Sequence, residues 1–237
     1  MKEGFVIKAN WLIYRGAILK YLPVLGVKNP KEVFRRANAR YHSEMQRLPE
    51  YGENDVLKLN LSHAVMLGAI YESCEEKPSV DQLVRFYREV VLSPKLIRFA
   101  FSKNDMVSPK RIGRETRRGE KSQQATHPYT WQYRVEQVGD RRFTAVFTRC
   151  GICDYLNSRG LSEIIPAMCA LDYTFGEVGN HFFLRKETIA TGGRVCDCTY
   201  IGKDVATAQE APQSLQDKLD EARRGGLHLE LPGGETI

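Results

Sequence analysis

Near residue 127 the spacing of apolar residues changes from helical to alternating, and this change limits the fold more than any other feature of the chain. Upstream, Phe34, Ala37, Tyr41, Met45 and Leu48, then Leu57, Leu61, Ala64, Val65, Gly68 and Ala69, then Leu83, Phe86, Tyr87, Val90 and Val91 recur three and four residues apart, as on one face of a helix. Downstream, Trp131, Tyr133 and Val135 alternate with Gln132, Arg134 and Glu136, and Phe143, Ala145 and Phe147 alternate with Thr144, Val146 and Thr148 across a Gly139-Asp140 turn. Repeated β-α-β units are absent. The pattern predicts an α+β fold, with N-terminal helices packed on a mainly antiparallel sheet built from two hairpins, 129–149 and 182–201, and short helices between them.

Local signals sharpen the helical half. Asn29-Pro30 reads as an N-cap and a proline at the first helical position, with Pro49 as the stop. A second helix is expected over 56–73. Ser79 with Gln82 fits a capping box for a third, and Ser93-Pro94 restarts a fourth. The apolar patches before Asn29, Trp11 to Ala17 and Tyr21 to Val27, read as an N-terminal arm lying on the domain. Lys110, Arg111, Arg114, Arg117, Arg118 and Lys121, interrupted by two glycines, read as a solvated loop over 109–124, with a clamp for an anionic substrate as the sharper reading. No interleaved aromatics point to nucleic acid there.

The length of 237 residues with 42% hydrophobic content suits a single domain over 1–203, helical over 29–103 and carrying sheet and site over 127–203, followed by a polar tail with a short helix near 214–223. Neither an apolar run of spanning length nor a secretory leader is visible, so the expected location is the cytoplasm. The six cysteines are then expected as thiols rather than a disulfide framework. The expected partner is a small-molecule substrate, without nucleic acid, membrane, metal or cofactor, and self-association into a homo-oligomer stays open.

Five of the six cysteines, Cys150, Cys153, Cys169, Cys196 and Cys198, fall between Arg149 and Tyr200 beside Asp172, Glu187 and Asp197, and candidate chemistry concentrates there. Cys150 follows a strand and opens a short helix over 150–158, while Cys169 is expected in the first turn of a helix opened by Pro166. Free N–H groups at such positions stabilise a thiolate. Asp172, three residues after Cys169, would share its face. A thiol beside a carboxylate suits an amidine-like carbon, since the carboxylate pairs with the N–H edge while sulfur attacks. Reduced cysteines are also ordinary core residues. A zinc site is the weaker alternative, because Cys150-x-x-Cys153 has no second C-x-x-C. His127 and His181 are read as strand-end residues, and His42 and His63 are left unassigned. A two-residue Gly192-Gly193 loop would put Glu187 opposite Cys198 and Ile189 opposite Cys196.

The succession C-x-x-C, then G-L-S-E-I-I-P-A-M-C-A-L-D-Y, then R-K-E-T-I-A-T-G-G-R-V-C-D-C resembles the L-2-amino-thiazoline-4-carboxylic acid hydrolase family over about residues 145–202. The resemblance implies hydrolytic opening of a cyclic isothiourea, and the matching positions are Cys150, Cys169, Asp172, Glu187, Thr188, Cys196 and Asp197. Cys198 stands where an aromatic is commoner. The expected arrangement has Cys169 as nucleophile with Asp172 orienting the substrate, Cys150 as the competing nucleophile, and Arg149 and Arg185 holding a substrate carboxylate. The competing class is a ligand-binding or sensor domain, since the late hairpin also resembles hydrocarbon-binding domains of the four-vinyl-reductase type.

Overall fold

The computed structural model describes residues 5–207, with side chains from Asn10 onward; the helix expected at 214–223 lies outside the described residues. The helical half holds α1 (Phe5–Tyr21), α2 (Pro30–Arg47), α3 (Lys58–Ser73), α4 (Val80–Leu92), α5 (Lys95–Lys103) and α6 (Pro109–Ser122). Then come β1 (Gln132–Gly139), β2 (Arg142–Arg149), α7 (Gly151–Ser158), α8 (Ile165–Cys169), α9 (Leu171–Val178), β3 (His181–Leu184) and β4 (Cys196–Gly202). No described helix is long and apolar enough to cross a membrane.

The caps form as their chemistry dictates. The Asn29 side chain accepts the Glu32 N–H ahead of Pro30, and Ser79 and Gln82 close a reciprocal capping box on α4. Residues 61–71 of α3 are buried on nearly every side apart from His63, so this helix is the centre of the bundle. It packs on α2 and on α7, where Gly68 admits Leu156 and Leu161.

The four strands form one antiparallel sheet of order β1-β2-β4-β3, so the two hairpins join through β2 and β4. Its buried face stacks Phe143 on Tyr200, with Phe183 edge-on to Tyr200, and carries Tyr133, Ala145, Cys196 and Cys198 into the same core as the helices.

Two segments differ from expectation. The N-terminal arm is the helix α1, whose Trp11, Tyr14, Ala17 and Ile18 are buried at helical spacing, with Trp11 stacked on Tyr41 at 4.7 Å. Exposed Leu12 and Ile13 blur that stripe in the sequence. The basic stretch read as a loop is the helix α6. Pro109 stands at its first position, and Ser108 caps the Arg111 N–H. Its inward stripe is Ile112, Glu115, Gly119 and Ser122, one apolar residue followed by small and polar ones that hydrophobic patterning does not see. Gly119 is there for close approach: a Cβ would lie 3.0 Å from the Tyr133 carbonyl oxygen. Buried Glu115 gathers Arg111, Arg118 and the Tyr133 hydroxyl.

The second hairpin is shorter than expected. β3 ends at Leu184, paired with Thr199, two residues out of the register that a Gly192-Gly193 loop would give. The ladder stops because one Asp197 carboxylate oxygen takes the N–H groups of both Lys186 and Glu187, at 2.9 and 2.8 Å. Thr188 then caps a 3-10 turn over Ile189–Thr191, which Gly192 ends at φ 87°. Gly193 packs so closely that a Cβ would meet Thr188 O at 2.7 Å.

Candidate active site

All five clustered cysteines are free; Cys153 lies within electrostatic reach of Cys150, Cys169 and Cys196, Cys169 and Cys196 within reach of Cys150 and Arg185, and Cys198 within reach of Cys196, Arg185 and Asp172. Three structural units bring them together. The β2–α7 junction supplies Cys150 and Cys153, the α8–α9 stretch supplies Cys169 and Asp172, and the β3–β4 hairpin supplies Arg185, Cys196 and Cys198.

Cys150 is the N-cap residue of α7, in extended conformation at φ −123°, ψ 111°, and is half-buried. Its sulfur makes no side-chain capping bond of normal geometry. The Cys153 thiol and the N–H groups of Cys153 and Ile152 nevertheless face it and hold its pKa below the ordinary thiol value, against burial and the nearby Asp154 charge. The helix start is pinned by Gly151: a Cβ there would lie 2.5 Å from the Tyr129 carbonyl oxygen and 3.0 Å from the Trp131 ring. Cys153, buried beside Cys150, is pushed far up by the neighbouring sulfur and by desolvation.

The environment expected for Cys169 is not found. Cys169 is the last residue of the five-residue α8, beyond the first turn that Pro166 opens, so free N–H groups do not surround it. Burial pushes its thiol up to about 12, with Arg185 opposing. Cys196 and Cys198 are also raised by burial. The Cys196 sulfur accepts the Ile189 N–H at 3.2 Å and lies 3.3 Å from the Thr188 hydroxyl.

Arg185 ties the centre together. It is 4% exposed, its Nη1 donates to Asp172 Oδ2 at 3.2 Å, and its Nη2 donates to the Cys169 carbonyl at 3.2 Å. The guanidinium also lies over the Tyr173 and Phe183 rings. Asp172 keeps 39% of its side chain exposed, and its pKa is raised by desolvation while Arg185 pulls it back.

Other expected site residues hold structure. Arg149 is engaged by Asp154 at 2.7 Å and by the Pro128 carbonyl. Glu187 accepts the Arg194 N–H, and Asp197 anchors the loop as described. His127 is a buried spacer, with Nε2 facing the Pro49 carbonyl and Nδ1 taking the Tyr129 N–H. His63 hydrogen-bonds the Tyr87 hydroxyl at 2.8 Å and is lowered to about 4 by burial, so it is neutral. Sequence reasoning gave Cys153 a part only in the weaker zinc alternative, and none to Tyr200 and Tyr87, whose hydroxyls lie within electrostatic reach of Asp172. Cys153 had a signal in its i, i+3 spacing from a helix-opening cysteine; the tyrosines had none.

A family model described as L-2-amino-thiazoline-4-carboxylic acid hydrolase matches residues 59–200. No curated protein and no solved structure shows a match. The matched segment is more than half of the chain, begins in α3 rather than only at the site, and contains every residue of the cysteine, Asp172 and Arg185 cluster. The chain therefore belongs to the L-2-amino-thiazoline-4-carboxylic acid hydrolase family.

Proposed function

We propose that the chain hydrolyses a C–N or C–S bond of a small cyclic isothiourea or amidine-like substrate, with Cys150 as the attacking thiolate. One observation carries this reading: Cys150 is the N-cap residue of α7 and Cys169 the last residue of α8, and accordingly, of the five clustered sulfurs, only Cys150 has its pKa lowered, first by the neighbouring Cys153 thiol and then by N–H groups at the helix start. Low-pKa thiols at such positions are the nucleophilic ones. Cys169, favoured by sequence spacing, then becomes part of the wall.

In the proposed reaction the thiolate adds to the amidine carbon and the C=N electron pair moves to nitrogen. The open edge of Asp172 accepts the substrate N–H, the edge that Arg185 leaves free. Collapse breaks the ring C–S or C–N bond, and the departing heteroatom takes a proton. Water then attacks the enzyme-bound carbon, the bond to Cys150 breaks, and the thiolate returns; one water is consumed overall. Arg185 is a positioning residue in this scheme, since it is buried and already bound to Asp172 and the Cys169 carbonyl.

The test is turnover of L-2-amino-thiazoline-4-carboxylic acid followed by mass spectrometry, with the product identifying the cleaved bond. Cys150→Ser is expected to lose about a thousandfold or more in kcat while retaining substrate binding, and Cys169→Ser to lose less than about tenfold. The reverse order would return the attacking role to Cys169. If both variants stay active, water activated by Asp172 or Glu187 replaces thiol attack. Ligand binding without turnover in the unaltered chain would favour the binding-domain class.

A further inference from the structure

The hydrolytic scheme uses one sulfur at the start of α7, yet two stand there. Cys150 is the N-cap residue and Cys153 the third helical residue, so they are neighbours on one edge of the first turn. Residues three apart within a helix have Cβ atoms about 5–6 Å apart, wider than the about 3.5–4.5 Å that a disulfide spans, so closure depends on Cys150 lying just outside the helix as its N-cap residue, where a small backbone adjustment can turn its Cβ towards Cys153. The extended backbone of Cys150 leaves its side chain free of helical rotamer limits, and the Cys153 thiol lies within interaction range of its sulfur. A donor to the Cys150 thiolate could as well be a hydroxyl; a buried thiol, 3% exposed, adds redox chemistry that a hydroxyl lacks.

The remaining sulfurs are placed differently. Cys196 already receives the Ile189 N–H and sits on β4, Cys198 faces Arg185, and Cys169 closes α8. Pairing any of them with Cys150 would cross-link separate units, whereas Cys153 shares the turn.

We propose that Cys150 and Cys153 are a reversible dithiol–disulfide site that takes a small hydroperoxide as its oxidant, with Cys150 attacking and Cys153 resolving. The Cys150 thiolate attacks the outer peroxide oxygen, the O–O bond breaks, and the departing oxygen takes a proton, leaving a sulfenic acid. The Cys153 sulfur then loses its proton and attacks the sulfenic sulfur, and water leaves as the S–S bond forms. Two thiols and one hydroperoxide give one disulfide, one alcohol (water, for hydrogen peroxide) and one water. A small dithiol reverses the change by exchange and is itself oxidised to a disulfide. The inference rests on Cys150 being the reactive thiol, and it makes hydrolysis oxidant-sensitive, because a sulfur held in a disulfide cannot attack substrate.

The test needs no substrate. Reduced full-length protein is treated with one equivalent of hydrogen peroxide, alkylated and digested with trypsin. Cleavage after Arg149 and Arg159 yields a peptide containing Cys150 and Cys153 and no other cysteine. The expected result is this peptide two hydrogens lighter and unalkylated, returning to the doubly alkylated form after dithiothreitol. Cross-linking of Cys150 to a peptide bearing Cys169, Cys196 or Cys198 would overturn the assignment. So would sulfinic acid at Cys150 with Cys153 fully alkylated. In Cys153→Ser treated with an excess of hydrogen peroxide, recovery by dithiothreitol should fall by about tenfold or more relative to the parent treated alike, because an unresolved sulfenic acid takes up a second peroxide and becomes sulfinic acid; undiminished recovery through a disulfide would show another resolving thiol. A chain that passes this test but fails to open the thiazoline would refute the hydrolytic reading alone, and the converse holds.

Discussion

Replacing Arg185 with Met probes the centre of the cluster with little change in side-chain bulk. The guanidinium is 4% exposed and holds Asp172 Oδ2 and the Cys169 carbonyl, both at 3.2 Å. Removing one partner of a fully buried ion pair costs about 3–5 kcal/mol. Asp172 is 39% exposed, so water can take over part of the lost partner's role, and the charge term should fall to about 1–2 kcal/mol. The orphaned Cys169 carbonyl adds about 1–2 kcal/mol, giving roughly 3 kcal/mol near neutral pH. Asp172→Asn alone should also destabilise, because it leaves the buried guanidinium with only the carbonyl and the two rings. The double variant should then cost at least about 1 kcal/mol less than the sum of the singles. The pH dependence carries the sign. The folded pKa of Asp172 is already raised, and without Arg185 it rises further, so the variant's deficit should shrink as pH falls through the carboxylate range and the group protonates. Urea unfolding of the four proteins at neutral and acidic pH measures both effects. Additivity within about 0.5 kcal/mol, together with a pH-independent deficit, would refute the coupling.

Gly151→Ala should destabilise by about 3 kcal/mol, since its Cβ meets fixed backbone at 2.5 Å, and should slow Cys150 alkylation by iodoacetamide at neutral pH; an alkylation rate like that of the parent would sink the link between helix placement and thiol reactivity. Gly16→Ala, with nothing within 4 Å of the added carbon, is the control and should be neutral or stabilising by up to about 1 kcal/mol. His63, lowered to about 4, stays neutral in the fold while the unfolded chain takes up a proton near pH 6.5, so stability should drop by about 2–3 kcal/mol as pH falls from 6.5 towards 4. His63→Gln should flatten that slope, and an unchanged urea-midpoint profile would show that His63 does not cause it.

The sequence showed most where one face of an element is apolar and the turn chemistry is standard. The capping box at Ser79, the proline start at Pro30 and the alternation around Tyr133 and Phe143 each found the predicted element. It showed least where an inward stripe is not hydrophobic. Helix α6 turns Glu115, Gly119 and Ser122 inward, and its charges are sorted by a partner, Glu115, that composition cannot place. The hairpin register failed for a related reason. Asp197 takes two backbone donors that strand pairing would have used, a side-chain competition that period counting does not register. The site residues were found as a group, yet the order of reactivity among the thiols was not. In the sequence Cys150 and Cys169 both read as lying at helix starts, and only the observed helix bounds separate them.

That separation explains why charge alone does not choose the nucleophile. Arg185 is the cation at the centre and lowers Cys169 and Cys198 as well as pairing with Asp172, yet burial outweighs it at both sulfurs. A cation already bound to a carboxylate and a carbonyl presents little net field to a third group. Cys150 gains instead first from the Cys153 thiol one turn away and then from backbone N–H groups that have no intrahelical partners. The backbone donors are fixed by the close contact of Gly151 with the strand lead-in at Tyr129, and the Cys153 thiol stands on the same first turn of α7, so the polarity of the site is set by the β2–α7 junction. Under the proposed reaction the work is divided: the β2–α7 junction makes the reactive sulfur, while Arg185 keeps Asp172 available as a carboxylate despite its raised pKa. Substitutions at Arg185 should therefore act on substrate orientation and on pH dependence, while those at Gly151 and Cys153 should act on the intrinsic reactivity of Cys150.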